Sequence, residues 1–172
     1  MKIALVLFLV VGALAGVGVA VTGWATARPA VHLAEHPAPA TTATLTRTTR
    51  LRGIPLRAEI ALLRRAGRTV TLDVRLTDER RDGRRFWLGY AFAEGISHDF
   101  DGVSLVDPTT GRRLSVKRDP EDHCLCSTTY NVSLAPGGST VLSASFPAPS
   151  AAARAADVVV PNFGAFRDVP LS

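Results

Sequence analysis

The sequence predicts an all-β protein, in which residues 45–172 form an antiparallel β-sandwich after an N-terminal signal or anchor helix. Apolar and polar residues alternate from Val70 to Leu76, which is typical of a strand with one buried face. Short apolar segments then recur between Pro- and Gly-rich turns, at the spacing of a sandwich. No segment sustains a helical apolar stripe long enough for a core helix. A single domain of this length is large enough to enclose a two-sheet core.

The N-terminal segment is predicted to direct export. Met1 and Lys2 precede an uncharged stretch, residues 3–27, which ends in Ala25-Thr26-Ala27. This order fits a signal peptide (residues 1–27) that is cleaved before Arg28. The apolar stretch is also long enough to cross a bilayer, so an uncleaved anchor remains open. In both cases we expect the remainder to be secreted or to lie on the extracellular face of the membrane, with membrane contact only through residues 3–27 if they are retained.

Residues 28–44 are predicted to form a flexible linker. Pro29, Pro37 and Pro39 lie among Ala and Thr residues, and no apolar face repeats. His32 and His36 would share one face of a helix and could pair on a metal, but Pro37 disfavours helix at that point. We therefore interpret the segment as a solvated tether.

The net charge of the chain limits the classes of partner that we expect it to bind. Cationic residues comprise 18 Arg and 2 Lys, and loss of Lys2 with the signal lowers the formal net charge from +5 to +4. A mild positive surface outside the cytoplasm is compatible with anionic wall polymers or lipid head groups, whereas nucleic acid is not expected as a partner. The most charged segment, Glu79–Arg85, is interpreted as a solvated hairpin tip, with an anion-binding loop as the alternative.

The strands follow from the apolar pattern along the chain. Residues 86–92 are apolar on both faces and predict a central strand, with Trp87 as a core anchor. One short helical turn is expected near residues 151–156. The other predicted strands are residues 57–64, 70–77, 103–106, 114–117, 130–134, 140–146 and 157–160. The predicted core consists of Val70, Leu72, Val74, Leu76, Trp87, Leu105, Leu142 and Phe146.

Cys124 and Cys126 are the only cysteines and lie beside His123. In an oxidising compartment they are predicted to bridge each other. A straight strand would hold the two Cα atoms about 6.6 Å apart with parallel side chains, so the bridge requires a bent backbone. Closure of so small a loop stabilises the fold by only about 1.6 kcal/mol. The bridge is therefore expected to shape a loop.

Other chemistry at this loop remains open. The bridge could be redox-active or intermolecular, and His123, Cys124 and Cys126 could bind Cu(I) or zinc with His98 as a fourth ligand. Asp99 and Asp101 invite a calcium interpretation, although the closing glutamate of an EF-hand loop is missing. No cofactor is expected. The motifs of nucleophilic, zinc-dependent and nucleotide-dependent enzymes are absent from the sequence, so no catalytic residues are predicted.

Several turn and strand-edge motifs are similar to those of a known family. They are Val103–Asp107, Val116–Asp119, Cys124–Ser127, Leu134–Gly138, Phe146–Pro149, Val160–Phe163 and Asp168–Leu171. They resemble exported proteins of high-GC Gram-positive bacteria that carry an immunoglobulin-like sandwich, alone or ahead of an OmpA-like cell-wall-binding domain. The resemblance covers about residues 55–172 and implies the immunoglobulin-like fold. The resemblance identifies no catalytic residues, and it does not imply wall binding by an OmpA-like module.

Two functions follow as expectations. The first is a non-catalytic, exported module of the cell envelope that binds an envelope protein or an anionic wall polymer. The second is an exported redox or metal-handling protein built around Cys124 and Cys126.

Overall fold

The structure is a computed structural model and describes residues 45–172, here called the β-domain. The predicted signal or anchor (residues 1–27), the linker (residues 28–44) and the His32–His36 pair lie outside the described residues. Within the β-domain, no helix is long and apolar enough to span a membrane.

The β-domain is all-β, its strands pair antiparallel, and its described residues contain no helix. Its ten strands are β1 (Thr46–Leu51), β2 (Ile54–Ala66), β3 (Thr69–Asp78), β4 (Phe86–Trp87), β5 (Ser104–Val106), β6 (Arg113–Ser115), β7 (Ser133–Leu134), β8 (Ser139–Pro147), β9 (Ala155–Val160) and β10 (Gly164–Pro170). The predicted all-β class is therefore confirmed.

The strands form three sheets. One four-stranded sheet has the order β1-β2-β3-β8, a second has the order β10-β9-β5-β6, and β4 pairs only with β7. In β3 the alternation read from the sequence sets the register, because Val70, Leu72, Val74 and Leu76 are all fully buried. One hydrophobic core includes side chains from both four-stranded sheets, among them Leu142 and Val158.

Several local predictions are wrong. Trp87 is not a core residue, and the predicted strand 86–92 is a strand only at Phe86–Trp87. Residues 79–85 connect two different sheets and do not form a hairpin tip, since β4 pairs with β7 and not with β3. No helical turn forms at residues 151–156, where a turn leads into β9.

The charged segment Glu79–Arg85 is organised by a buried carboxylate. The guanidinium of Arg80 donates to both oxygens of Asp78, with the shortest N–O distance 2.6 Å, and this interaction lowers the pKa of Asp78. Arg80 also donates to the carbonyl of Arg84 at 2.8 Å. One of the arginines that suggested an anion-binding loop is thus committed to contacts within the protein.

A second buried carboxylate, Asp107, joins two loops. Its Oδ1 accepts hydrogen bonds from the backbone N–H and hydroxyl of Thr109, and its Oδ2 accepts one from the backbone N–H of Ser150 at 2.8 Å. The Ser150 bond is the largest cause that lowers the pKa of Asp107 well below its ordinary value of 3.8. The turn after β5 is thereby fixed to the loop between β8 and β9.

We expect Asp107→Asn to remove a pH-dependent part of the stability. Because the pKa of Asp107 is lower in the folded state, its contribution is fully present above pH 3.8 and is lost as the pH falls below that value. The variant should therefore melt at a lower temperature than the wild type near neutral pH, and the difference should narrow in acid. Thermal unfolding followed by circular dichroism checks this, with exposed Asp82→Asn as the control. A difference that does not change with pH would contradict it.

Candidate functional site

The cysteine loop is held from both sides by backbone hydrogen bonds. The N–H of Leu125 donates to the carbonyl of Lys117 at 2.8 Å, and the carbonyl of Leu125 accepts from the N–H of Ser145 at 2.9 Å. Cys124 and Cys126 flank this residue and form a disulfide, with their Cα atoms 5.3 Å apart. The predicted pairing is therefore present, in a backbone more contracted than a straight strand.

Three of the four predicted metal ligands, His123, Cys124 and Cys126, line one cleft, but the described residues do not form a metal site there. The Cys124 and Cys126 sulfur atoms are bonded to each other. The ring of His123 is mostly exposed and lies 3.3 Å from the carboxylate of Asp119, whose pKa is lowered first by the backbone N–H of His123. His98 packs against Tyr90 and does not line the cleft beside the disulfide. Within residues 45–172, no three His, Cys, Asp or Glu side chains have the arrangement of a metal site.

The cleft beside the disulfide has a volume of about 490 Å³ and several acidic residues in its wall. The buried carboxylate of Asp101 accepts hydrogen bonds from the backbone N–H of Glu94 at 2.8 Å, from the Ser97 hydroxyl at 3.0 Å and from Arg118 at 3.1 Å. Asp101 is thus engaged by protein donors, and the calcium interpretation of Asp99 and Asp101 has no support in this geometry. These hydrogen bonds hold the neighbouring segment in place around the Asp101 carboxylate.

We expect Cys124→Ser/Cys126→Ser to leave the β-domain folded and to lower its stability by at most about 2 kcal/mol. The reason is that the closed loop is very short, and that the bonds of Leu125 to Lys117 and Ser145 remain in the variant. Chemical denaturation of the wild type and of the variant measures the difference, with the reduced wild type as a control. Outright unfolding of the variant would contradict a loop-shaping role.

A different surface carries four clustered aromatic rings, which we call the aromatic patch: Trp87, Tyr90, His98 and Tyr130. The rings of Tyr90 and His98 have centroids 3.9 Å apart, and the Tyr130 ring meets His98 edge-on at 4.9 Å. Trp87 meets Tyr90 edge-on at 6.1 Å. The exposed fractions are 40% for Trp87, 49% for Tyr90 and 57% for Tyr130.

Backbone contacts position the aromatic patch. The indole N–H of Trp87 donates to the carbonyl of Tyr130 at 2.6 Å. The buried hydroxyl of Thr129 lies 2.5 Å from the carbonyl of Gly89 and 2.9 Å from that of His98, so it can donate to either and ties together the segments that carry Trp87, Tyr90 and His98. Gly89 has a φ of +53°, and a Cβ there would lie 2.8 Å from the Trp87 ring. Only glycine therefore lets the indole lie against the backbone.

The aromatic patch was not predicted from the sequence. From the sequence, Trp87 is a predicted core residue and His98 a candidate metal ligand. Gly89 between Trp87 and Tyr90 was the available signal, because a glycine inside a strand pattern marks a break or a close approach. The contact of Trp87 with Tyr130 spans 43 positions and has no local sequence signal.

Comparisons with protein-family models, with curated proteins and with solved structures give no match to this chain. The candidate function therefore has to be argued from the site itself.

Proposed function

We propose that the chain is a non-catalytic, exported module of the cell envelope that binds an envelope protein or a wall polymer. The observation that carries the proposal is the aromatic patch. The Trp and Tyr rings of this patch are half-exposed, clustered and held in place, which is typical of a binding surface. Apolar residues that are exposed singly are common on protein surfaces and need no functional explanation.

Export is supported by two independent features. The uncharged residues 3–27 have the pattern of a signal or anchor, and the Cys124–Cys126 disulfide is a bond that persists in oxidising compartments. We infer that the protein is secreted or held on the extracellular face, by residues 3–27 if these are not cleaved.

We also propose that the β-domain is an immunoglobulin-like sandwich, related to the exported proteins that its turn motifs resemble. The support is that two four-stranded antiparallel sheets contribute to one hydrophobic core. In such an arrangement the loops that connect the sheets lie at the ends of the domain, where binding residues are commonly carried.

Protease accessibility on intact cells tests the exported location that the proposed function requires. The full chain, tagged after Ser172, should be digested by external protease, and its unreduced form should contain the Cys124–Cys126 disulfide. Intact mass then distinguishes a mature chain that begins at Arg28 from a retained anchor. A protein that is protected inside the cell and carries free thiols would overturn the proposal.

One observation favours the alternative redox function: the disulfide borders the open cleft. Against it, the backbone of Leu125 is hydrogen-bonded to Lys117 and Ser145, bonds that hold the loop in place without the disulfide. An assay of disulfide reductase activity separates the two functions, because the binding module should have none.

A further inference from the structure

The aromatic residues of the β-domain are divided between core and surface by their chemistry. All six described phenylalanines are buried, namely Phe86, Phe92, Phe100, Phe146, Phe163 and Phe166. Both tyrosines of the chain and the single described tryptophan are exposed, and all three lie in the aromatic patch. The rings that carry a polar group are therefore gathered at one place on the surface. If the aromatic patch were only an incompletely covered edge of the hydrophobic core, phenylalanine rings would be exposed there as well.

The aromatic patch is preorganised for a ligand. Trp87 is fixed by its bond to the Tyr130 carbonyl and by its contact with Gly89, and Thr129 ties the neighbouring segments together. Side chains already held in position lose little conformational entropy when a ligand binds. The hydroxyls of Tyr90 and Tyr130 form no hydrogen bond with any residue of the β-domain that the structure describes, so both can bond to a ligand.

The area of the aromatic patch limits the size of its ligand. An aromatic side chain offers roughly 150–250 Å² of surface, so three rings about half-exposed present roughly 300 Å². A stable interface between folded proteins buries about 800 Å² on each partner. A narrow polymer that contacts the protein through a few units fits this area better than a folded protein does.

The polar groups discriminate between two narrow polymers. A proline-rich peptide offers mainly carbonyl acceptors, so it would use the phenol hydroxyls only as donors, and the indole N–H, a further donor for such a peptide, is already bonded to Tyr130. A sugar ring instead offers a C–H face, which packs on an aromatic face, and hydroxyls that both donate and accept. The phenol hydroxyls match these needs, and the exposed side chain of Asn131 lies next to Tyr130 in the chain.

We propose that the aromatic patch binds the pyranose rings of a polysaccharide, with Trp87, Tyr90 and Tyr130 as the stacking residues. This inference rests on the proposed function and specifies its ligand class. The contact is mainly apolar and hydrogen-bonded, so its affinity should change little with salt, unlike binding of an anionic polymer by surface arginines.

Retention on insoluble polysaccharides tests the inference. The full chain is used in mild detergent with Trp24→Phe, which leaves Trp87 as its sole tryptophan. It should be retained on at least one of cellulose, chitin, starch and purified peptidoglycan, and soluble fragments of that polymer should change the Trp87 fluorescence. Tyr90→Ala and Trp87→Ala should each weaken binding about tenfold. Val141→Ala, which alters a similarly exposed apolar residue on β8, should leave binding unchanged.

If Trp87→Ala fails to fold, the test is made with Tyr90→Ala alone. Removal of the Tyr90 side chain breaks no described hydrogen bond, so we expect this variant to fold. Absence of retention on all four polymers would overturn the inference, as would retention that Tyr90→Ala leaves unchanged. Binding of a polyproline peptide in place of the sugars would identify a peptide site. A protein that is exposed on intact cells and binds no polysaccharide refutes this inference alone, whereas retention in the cytoplasm refutes the proposed function.

Discussion

Replacement of Phe92 by alanine should lower the free energy of unfolding of the β-domain by about 3–5 kcal/mol. Phe92 is fully buried, and its ring packs edge-on against Phe100 at 5.7 Å and parallel to Phe163 at 6.3 Å between centroids. The substitution removes these contacts and leaves a cavity that the close-packed neighbouring side chains fill only in part. Guanidinium denaturation of the wild type and of the variant measures the difference.

Phe92→Leu is the matched control, since it retains most of the apolar volume and should cost about 1.5 kcal/mol. Equal losses for the two variants would contradict the packing argument. Because Phe92 lies two residues after Tyr90, the alanine variant made in the Trp24→Phe chain should also perturb Trp87 fluorescence before global unfolding. The leucine variant should leave that signal close to the wild type.

The fold class could be predicted from the sequence because strong alternation occurs where a strand lies on the core. Val70 to Leu76 in β3 is the clearest case, and every apolar residue in it is buried. The same rule missed β1 and β10, each of which lies at the edge of a sheet. β1 is mostly polar, as an edge strand can be. The alternation in β10 is interrupted by a register shift between Phe166 and Val169, where Asp168 has a φ of +52°.

The candidate site was only partly predictable. The disulfide could be inferred because the export predicted from the sequence implies an oxidising compartment, and the two cysteines have no other partner in the chain. The exposure of Trp87 could not, since it depends on Gly89 turning the chain away from the strand and on the distant carbonyl of Tyr130. Apolar patterning reports which residues can be buried, and a binding surface departs from that pattern.

The segment that carries Tyr90 and His98 ends at Gly102, where the neighbouring backbone leaves no room for a side chain. The N–H of Gly102 donates to the carbonyl of Phe92 at 3.0 Å, so these two backbone segments lie close together. A Cβ on Gly102 would lie 2.7 Å from the Phe92 carbonyl oxygen and 2.9 Å from that of Ala93. Neither oxygen can move away as a flexible side chain would.

Gly102→Ala should therefore lower the free energy of unfolding by about 3 kcal/mol, through overpacking against the backbone. Gly111→Ala is the control, because Gly111 has a φ of +68° and open space around it, so only the cost of a left-handed conformation applies, about 1 kcal/mol. Chemical denaturation compares the two variants. The Gly102 variant should also shift Trp87 fluorescence in the Trp24→Phe chain, whereas the Gly111 variant should not. Equal stabilities would show that the Phe92–Gly102 segment yields, and the aromatic patch would then lack the rigid support that its preorganisation requires.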